Sequence, residues 1–167
     1  MPEAAKPVYL VNTAADPVVV RVEGRACFQN SAGLRDFFTT MLVQEKRSFV
    51  LNLTHCTGMD STFLGVLAGA ALELRRLVPV GSLVICGAGP RNLELLQNLG
   101  LHRLLTVEAG AAPPDDCSPL GDTTEKDELA NARLALEAHR NLVACDAANR
   151  SRFEDVLTFL QKRVEKG

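Results

Sequence analysis

The sequence predicts an α/β fold in which helices cover a sheet with parallel strand pairs, followed by a helical extension. Strand-type apolar segments alternate with segments of helical periodicity over the first 110 residues. A segment rich in Pro and Gly then precedes two amphipathic helices. With 167 residues, 47% of them apolar, the chain is long enough for one complete core. These observations divide it into an α/β domain (1–110), a linker (111–123) and a C-terminal helical extension (124–167).

The α/β domain begins with two strands and a helix. The β-branched segment Pro17–Val22 is predicted to be a strand, and Tyr9–Val11 is its short partner. Apolar residues then recur at helical spacing over Leu34–Leu42. Asn30 or Ser31 supplies the N-cap of this helix, which is expected to run for about four turns.

The nearly continuous apolar segment Ser48–Leu53 is typical of a strand buried in the middle of a sheet. The remaining predicted elements are a loop, a helix, a strand, a helix and a strand: Thr54–Met59, Ser61–Leu77, Ser82–Cys86, Pro90–Leu99 and Leu104–Val107. Helices that alternate with buried strands in this way connect parallel neighbours in one sheet.

The extension is predicted to contain two helices. The first covers about Thr124–Cys145, and the second begins at Ser151, which forms a capping box with Glu154. The second helix has an apolar stripe made by Phe153, Val156, Leu157, Leu160 and Val164.

The segment Met59–Gly65 is the most informative for function. Asp60 or Ser61 caps the helix that follows, where the first turn has unpaired N–H groups and a positive dipole end. A phosphate on Ser61 would carry close to two negative charges, which these donors accommodate in part. Ser61 is therefore a candidate switch residue at a helix N-terminus.

The helix after Ser61 has no charged residue from Thr62 to Leu72. A helix that covers one face of a sheet needs only one apolar stripe, but this segment is apolar or small on all sides. The additional apolar surface is either covered by the C-terminal helices or docks a partner. A phosphate at its edge would oppose docking, because burying a dianion without paired cations is costly.

The residues from about Val8 to Glu108 resemble the STAS domain family of sulfate transporters and anti-sigma-factor antagonists. The resemblance is carried by the strand Phe49–Leu53, the loop Gly58–Ser61, the pair Leu64–Gly65, the strand segment Gly81–Cys86 and the helix Leu93–Leu101. It implies a small mixed β-sheet packed with helices. The typical motif of the family begins with Asp-Ser-Ser-Gly. In this sequence Thr62 replaces the second serine and Phe63 replaces the glycine.

The resemblance implies a non-enzymatic antagonist that captures an anti-sigma factor kinase when unphosphorylated and so regulates transcription. The kinase inactivates such proteins by phosphorylation, and a cognate phosphatase restores them. Ser61 would then be the phosphoacceptor, supported by Asp60 and Thr62. The partner-binding residues expected on the following helix are Phe63, Leu64, Gly65 and Ala68. No cofactor or metal is implied.

One alternative is a constitutive scaffold: an unphosphorylated STAS subunit of a signalling or lipid-transport assembly. Phe63 and the C-terminal helices motivate this alternative. The C-terminal helices could form a homodimer, cover the charge-free helix, or bind another partner.

Other function classes lack support. The net charge is −2 and no basic face stands out, so nucleic acid is not expected to bind. The chain has no apolar segment of the ~18–20 residues that span a bilayer and no signal segment, which favours the cytoplasm. Gly87-Ala-Gly89 precedes a helix, but Asn92 replaces the third glycine of a dinucleotide motif, so a turn is expected. The histidines His55, His102 and His139 are not at metal-ligand spacing. His55 is near Ser61 in sequence and could tune it, but a loop histidine without a role is expected.

Overall fold

The computed structural model describes residues 7–108, 116–120 and 127–167. The strands and α-helices within these ranges are β1 (Tyr9–Asn12), β2 (Val18–Ala26), α1 (Ser31–Val43), β3 (Ser48–Met59), α2 (Ser61–Arg76), β4 (Ser82–Cys86), α3 (Pro90–Asn98), β5 (Thr106–Val107), β6 (Ser118–Pro119), α4 (Glu128–Cys145) and α5 (Asn149–Lys166). The predicted order of the first eight elements is confirmed.

The six strands form one mixed sheet in the order β5-β4-β3-β2-β1-β6. The β2–β3, β3–β4 and β4–β5 pairs are parallel, each joined by a helix, whereas β1 is antiparallel to both β2 and β6. The expected small mixed sheet with parallel pairs is therefore confirmed.

The third strand is much longer than the sequence predicts. The segment Thr54–Met59, expected to be a loop, continues β3 and pairs with β2 up to Ala26 opposite Met59. Two register shifts interrupt this pairing, after Arg21 and after Gly24. The polar residues of the extension conceal it in the sequence, because backbone pairing with β2 defines most of this end of the strand and only Cys56 and Met59 pack on the core.

The predicted linker, 111–123, lies mostly outside the described residues. Its described part contains β6, which pairs with β1 through Leu10 opposite Pro119 and Val11 opposite Ser118. Proline suits this place because an edge strand leaves one N–H position unpaired.

The core lies between the sheet and its helices. Its largest fully buried side chains come from β1, β3, β4 and α2 and from the helices next to them; they include Tyr9, Phe49, Phe63, Leu51, Leu53, Leu67 and Ile85. Each such side chain contributes about 1.5–3 kcal/mol by leaving water. The buried apolar side chains of α2 therefore hold one face of this helix against the sheet.

Helices α4 and α5 run antiparallel, as shown by the Arg163–Glu128 ion pair of 3.5 Å between the end of α5 and the start of α4. We call residues 128–166 the C-terminal hairpin. The predicted start of α5 at Ser151 is wrong, because the helix begins at Asn149. The buried Asn149 amide donates to the carbonyl oxygens of Leu99 and Leu142 at 2.9 and 2.8 Å. These bonds attach the turn of the hairpin to the end of α3.

Candidate functional site

Asp60 joins three elements at the N-terminus of α2. Its Oδ1 accepts a hydrogen bond from the Phe63 N–H at 2.9 Å and so caps the helix. Its Oδ2 accepts from the Phe28 N–H at 2.7 Å, in the turn between β2 and α1. The Asp60 N–H itself donates to the Ala26 carbonyl oxygen at 3.1 Å. The carboxylate therefore fixes where the helix starts and how the adjacent turn lies.

We expect Asp60→Ala to lower the free energy of unfolding by about 2 kcal/mol, because it removes a cap and a second charge-assisted hydrogen bond. Asp127→Ala is the matched control, since Asp127 caps α4 through one bond, to the Ala130 N–H at 2.7 Å. Its cost should be about 1 kcal/mol. Urea unfolding of both variants measures the difference, and equal losses would show that the bond to Phe28 contributes nothing.

Ser61 is the first residue of α2 and is partly exposed. Its Oγ lies 2.8 Å from Nε2 of His139 in α4. The other ring nitrogen, Nδ1, lies 2.6 Å from the Ala135 carbonyl oxygen, which can only accept. In the neutral ring Nδ1 therefore carries the proton, and Nε2 accepts the hydrogen bond that the Ser61 hydroxyl donates.

A cleft of about 210 Å³ opens beside Ser61, with α3 on one side and α5 on the other. Its lining includes Leu95 and Asn98 of α3 and Arg152 and Phe153 of α5. Phe153 also packs edge-on against the His139 ring, with the ring centroids 5.0 Å apart. The Ser61 hydroxyl is therefore hydrogen-bonded, yet it borders the open cleft. The exposed, positively charged Arg152 lines the same cleft.

Phe63 and Thr62 lie inside the domain. The Phe63 ring is fully buried and stacks on Tyr9 of β1, with the ring centroids 6.3 Å apart and the planes 8° apart. Thr62 is 5% exposed. The expectation that Phe63 faces a partner does not fit this placement, because the first turn of α2 directs the ring at the sheet. The phenylalanine that departs from the family motif is a core residue here.

Of the other residues expected to bind a partner, Gly65 lies directly under α4, whereas Leu64 lines the cleft beside Ser61. Leu64, Gly65 and Ala68 are buried. The Asn141 amide of α4 donates to the Gly65 carbonyl oxygen at 3.3 Å. Of the two alternatives for the charge-free segment, the structure shows cover by the C-terminal helices.

His139 is the site residue that the sequence did not reveal. His55, the histidine near Ser61 in sequence, lies on β3 opposite Glu23 and is exposed, whereas His139 is buried against Ser61. No spacing rule connects positions 61 and 139, because their contact depends on how α4 packs on α2.

The remaining motifs are structural. Gly87 has a φ of 72°, as the expected turn requires, and the buried Asn92 amide donates to the Cys56 carbonyl oxygen at 3.0 Å. In the described ranges, no cluster of three or more His, Cys, Asp or Glu side chains is suited to bind a metal ion. Over the same residues, no helix combines the length and apolar character needed to cross a membrane.

Comparison with known proteins identifies the first two thirds of the chain. Residues 9–111 match the family model of the STAS domain. One similar solved structure is the anti-sigma factor antagonist SpoIIAA in its unphosphorylated form, with a TM-score of 0.51 and 18% identity over 63% of this chain and 89% of that chain. Another is the Bacillus cell fate determinant SpoIIAA in its phosphorylated form, with a TM-score of 0.50 and 20% identity over 60% and 90%. The C-terminal hairpin lies beyond the matched residues.

Proposed function

Because this chain belongs to the STAS domain family, we propose that it is an anti-sigma-factor antagonist, and that phosphorylation of Ser61 switches its binding to an anti-sigma factor kinase. The observation that carries the proposal is the position of Ser61. It is a partly exposed hydroxyl at the N-terminus of α2, directly after the capping Asp60. SpoIIAA, whose fold is similar, has been solved in unphosphorylated and phosphorylated forms.

The chemistry at Ser61 suits a switch. Phosphorylation replaces the hydroxyl proton with a group that carries almost two negative charges. The hydrogen bond to His139 then requires a proton on Nε2, because the oxygens of a dianionic phosphate only accept. The negative charge of the phosphate lies at the end of the apolar face of α2. A partner that docks on that face must therefore either strip water from the phosphate or leave the phosphate uncovered.

Incubation with the anti-sigma factor kinase of the host, ATP and Mg²⁺ tests the proposal. We expect the intact mass to rise by about 80 Da, one phosphate group. Fragmentation should place the phosphate on Ser61, and Ser61→Ala should remain unmodified. Thr62→Ala is the matched control, because the buried Thr62 hydroxyl should not be the acceptor.

Kinase capture provides the second readout. Ser61→Asp, which imitates part of the charge, should lose at least about tenfold in affinity for the kinase, whereas Ser61→Ala should keep it. Absence of phosphate from every residue, together with equal kinase binding by the wild type and Ser61→Asp, would refute the proposal.

A second candidate function is an unphosphorylated scaffold subunit in a signalling or lipid-transport assembly. The hydrogen bond of Ser61 to His139 and the cover over α2 favour it, since the hydroxyl already has a partner and the outer face of α2 is already occupied. This function predicts stable partners that co-purify equally with the wild type, Ser61→Ala and Ser61→Asp. A partner lost only from Ser61→Asp would argue against it.

A further inference from the structure

Helix α4 lies against the outer face of α2 at very short range. A Cβ built on Gly65 would overlap the Ala138 carbonyl oxygen and lie 2.6 Å from the Ala138 Cβ. One turn further, a Cβ on Gly69 would lie 2.5 Å from Nδ2 of Asn141. The close approach requires glycine at position 65, where the obstacle is backbone, whereas at Gly69 it is the end of the flexible Asn141 side chain. This face is therefore shaped to receive a helix with small residues.

The polar contacts that hold the C-terminal hairpin on this face are individually modest. They are the Ser61–His139 hydrogen bond of 2.8 Å, the hydrogen bond of 3.3 Å that the Asn141 amide donates to the Gly65 carbonyl oxygen, and an exposed ion pair of 2.8 Å between Arg35 and Glu137. A neutral hydrogen bond contributes about 1 kcal/mol and an exposed ion pair contributes less. Another helix could replace these bonds without leaving a buried charge unpaired.

The apolar contacts define what such a helix must supply. Leu134 and Leu142 of α4 are 3% and 0% exposed and belong to the common core. Opening the hairpin uncovers these side chains and the face of α2. An incoming segment must therefore bury comparable apolar surface, with a small residue where Ala138 meets Gly65.

We propose that the C-terminal hairpin is a displaceable cover that occupies the partner-docking face of α2, and that an amphipathic helix of the partner takes the place of α4 there. The partner class, an anti-sigma factor kinase, rests on the function proposed above. The assignment of the C-terminal hairpin as a cover rests on the packing of α4 on α2. Because Ser61 hydrogen-bonds to the cover, the switch residue and the cover meet at one contact.

Amide hydrogen exchange of the full-length protein tests whether the cover opens by itself. We expect amides of α4 and α5 to exchange at least about tenfold faster than those of β3, because the hairpin opens without unfolding the sheet. Equal exchange rates in β3 and the hairpin would overturn the proposal, since the hairpin would then unfold only with the whole domain. This measurement needs no variant.

A synthetic peptide with the sequence of residues 127–146, which contains α4, tests whether the uncovered face binds a helix. Ala138→Leu should displace the cover without changing α2, because its side chain has no space against Gly65. We expect the peptide to bind this variant at least about tenfold more tightly than the wild type. Ala144→Leu, at an exposed position of the same helix, is the matched control and should behave as the wild type.

Gly65→Ala, added to Ala138→Leu, should abolish peptide binding, because the new Cβ would overlap the backbone of the docked helix. Equal peptide binding by all these proteins, or by none, would overturn the proposal. Neither measurement uses the kinase. Failure here leaves phosphorylation of Ser61 as proposed, and absence of phosphorylation leaves the cover as proposed.

Discussion

Phe63→Ala is expected to lower the free energy of unfolding by about 3–5 kcal/mol, because it removes a fully buried ring and leaves a cavity under β1. The loss should include the stacking of this ring on Tyr9. Denaturant unfolding measures it. Since a small domain has only about 5–15 kcal/mol in total, the variant should be close to the limit of stable folding.

Phe159→Ala is the matched control for Phe63. Its ring, on α5, is 68% exposed, so its removal should change stability by less than about 0.5 kcal/mol. If Phe63→Ala were as stable as this control and only partner binding suffered, Phe63 would be a partner contact and not a core residue.

Tyr9 should make the protein sensitive to alkali. Burial raises the pKa of its hydroxyl far above the usual value, and the hydroxyl donates to Asn30 Oδ1 at 2.7 Å. The folded-state pKa then exceeds the unfolded value of about 10. The stabilisation is complete below that pH and is lost as pH rises from there towards the folded-state pKa, at about 1.4 kcal/mol per pH unit. At pH 12 the loss should reach roughly 3 kcal/mol.

Tyr9→Phe isolates this effect. The variant cannot ionise at position 9, so the stability of the wild type relative to the variant should fall steadily as pH rises above about 10. Burial also raises the pKa of the Cys56 and Cys145 thiols, but both remain in the variant and cancel in the comparison. A constant difference from pH 9 to pH 12 would show that the Tyr9 hydroxyl is reached by water in the folded state.

The sequence predicts the α/β domain well where apolar pattern and backbone chemistry agree. Buried strands such as Ser82–Cys86 stand out because they pack on both faces, and α3 begins at Pro90 because a proline fits the first helical position. The polar end of β3 and the edge strand β6 do not stand out in the sequence, since backbone pairing defines β6 and most of that end of β3. Local sequence contains little information about a ladder formed with a distant partner.

The candidate site was predictable in part. Asp60 and Ser61 are adjacent in the sequence, and their arrangement at the start of a helix follows from local rules. The orientation of Phe63 does not follow from the sequence, because an apolar residue near a helix start is compatible with a core or a surface role until the helix orientation is known. The contact of His139 with Ser61 joins residues 78 positions apart, so only the packing of α4 reveals it.

The structure also changes how a phosphate at Ser61 would act. The face that the sequence suggested for a partner is already occupied by α4 of the same chain. A partner that docks on this face must therefore displace α4 first. In this account, charge at Ser61 and displacement of the hairpin control the same face of α2.

Amide hydrogen exchange of the full-length protein with and without its anti-sigma factor kinase tests the central claim most directly. We expect binding to slow exchange in α2 from Ser61 to Arg76 and to accelerate exchange in the C-terminal hairpin. Protein phosphorylated on Ser61 should show neither change. Protection confined to the β6 edge or to the outer side of α5, with the hairpin unchanged and the same pattern for the phosphorylated protein, would contradict the account.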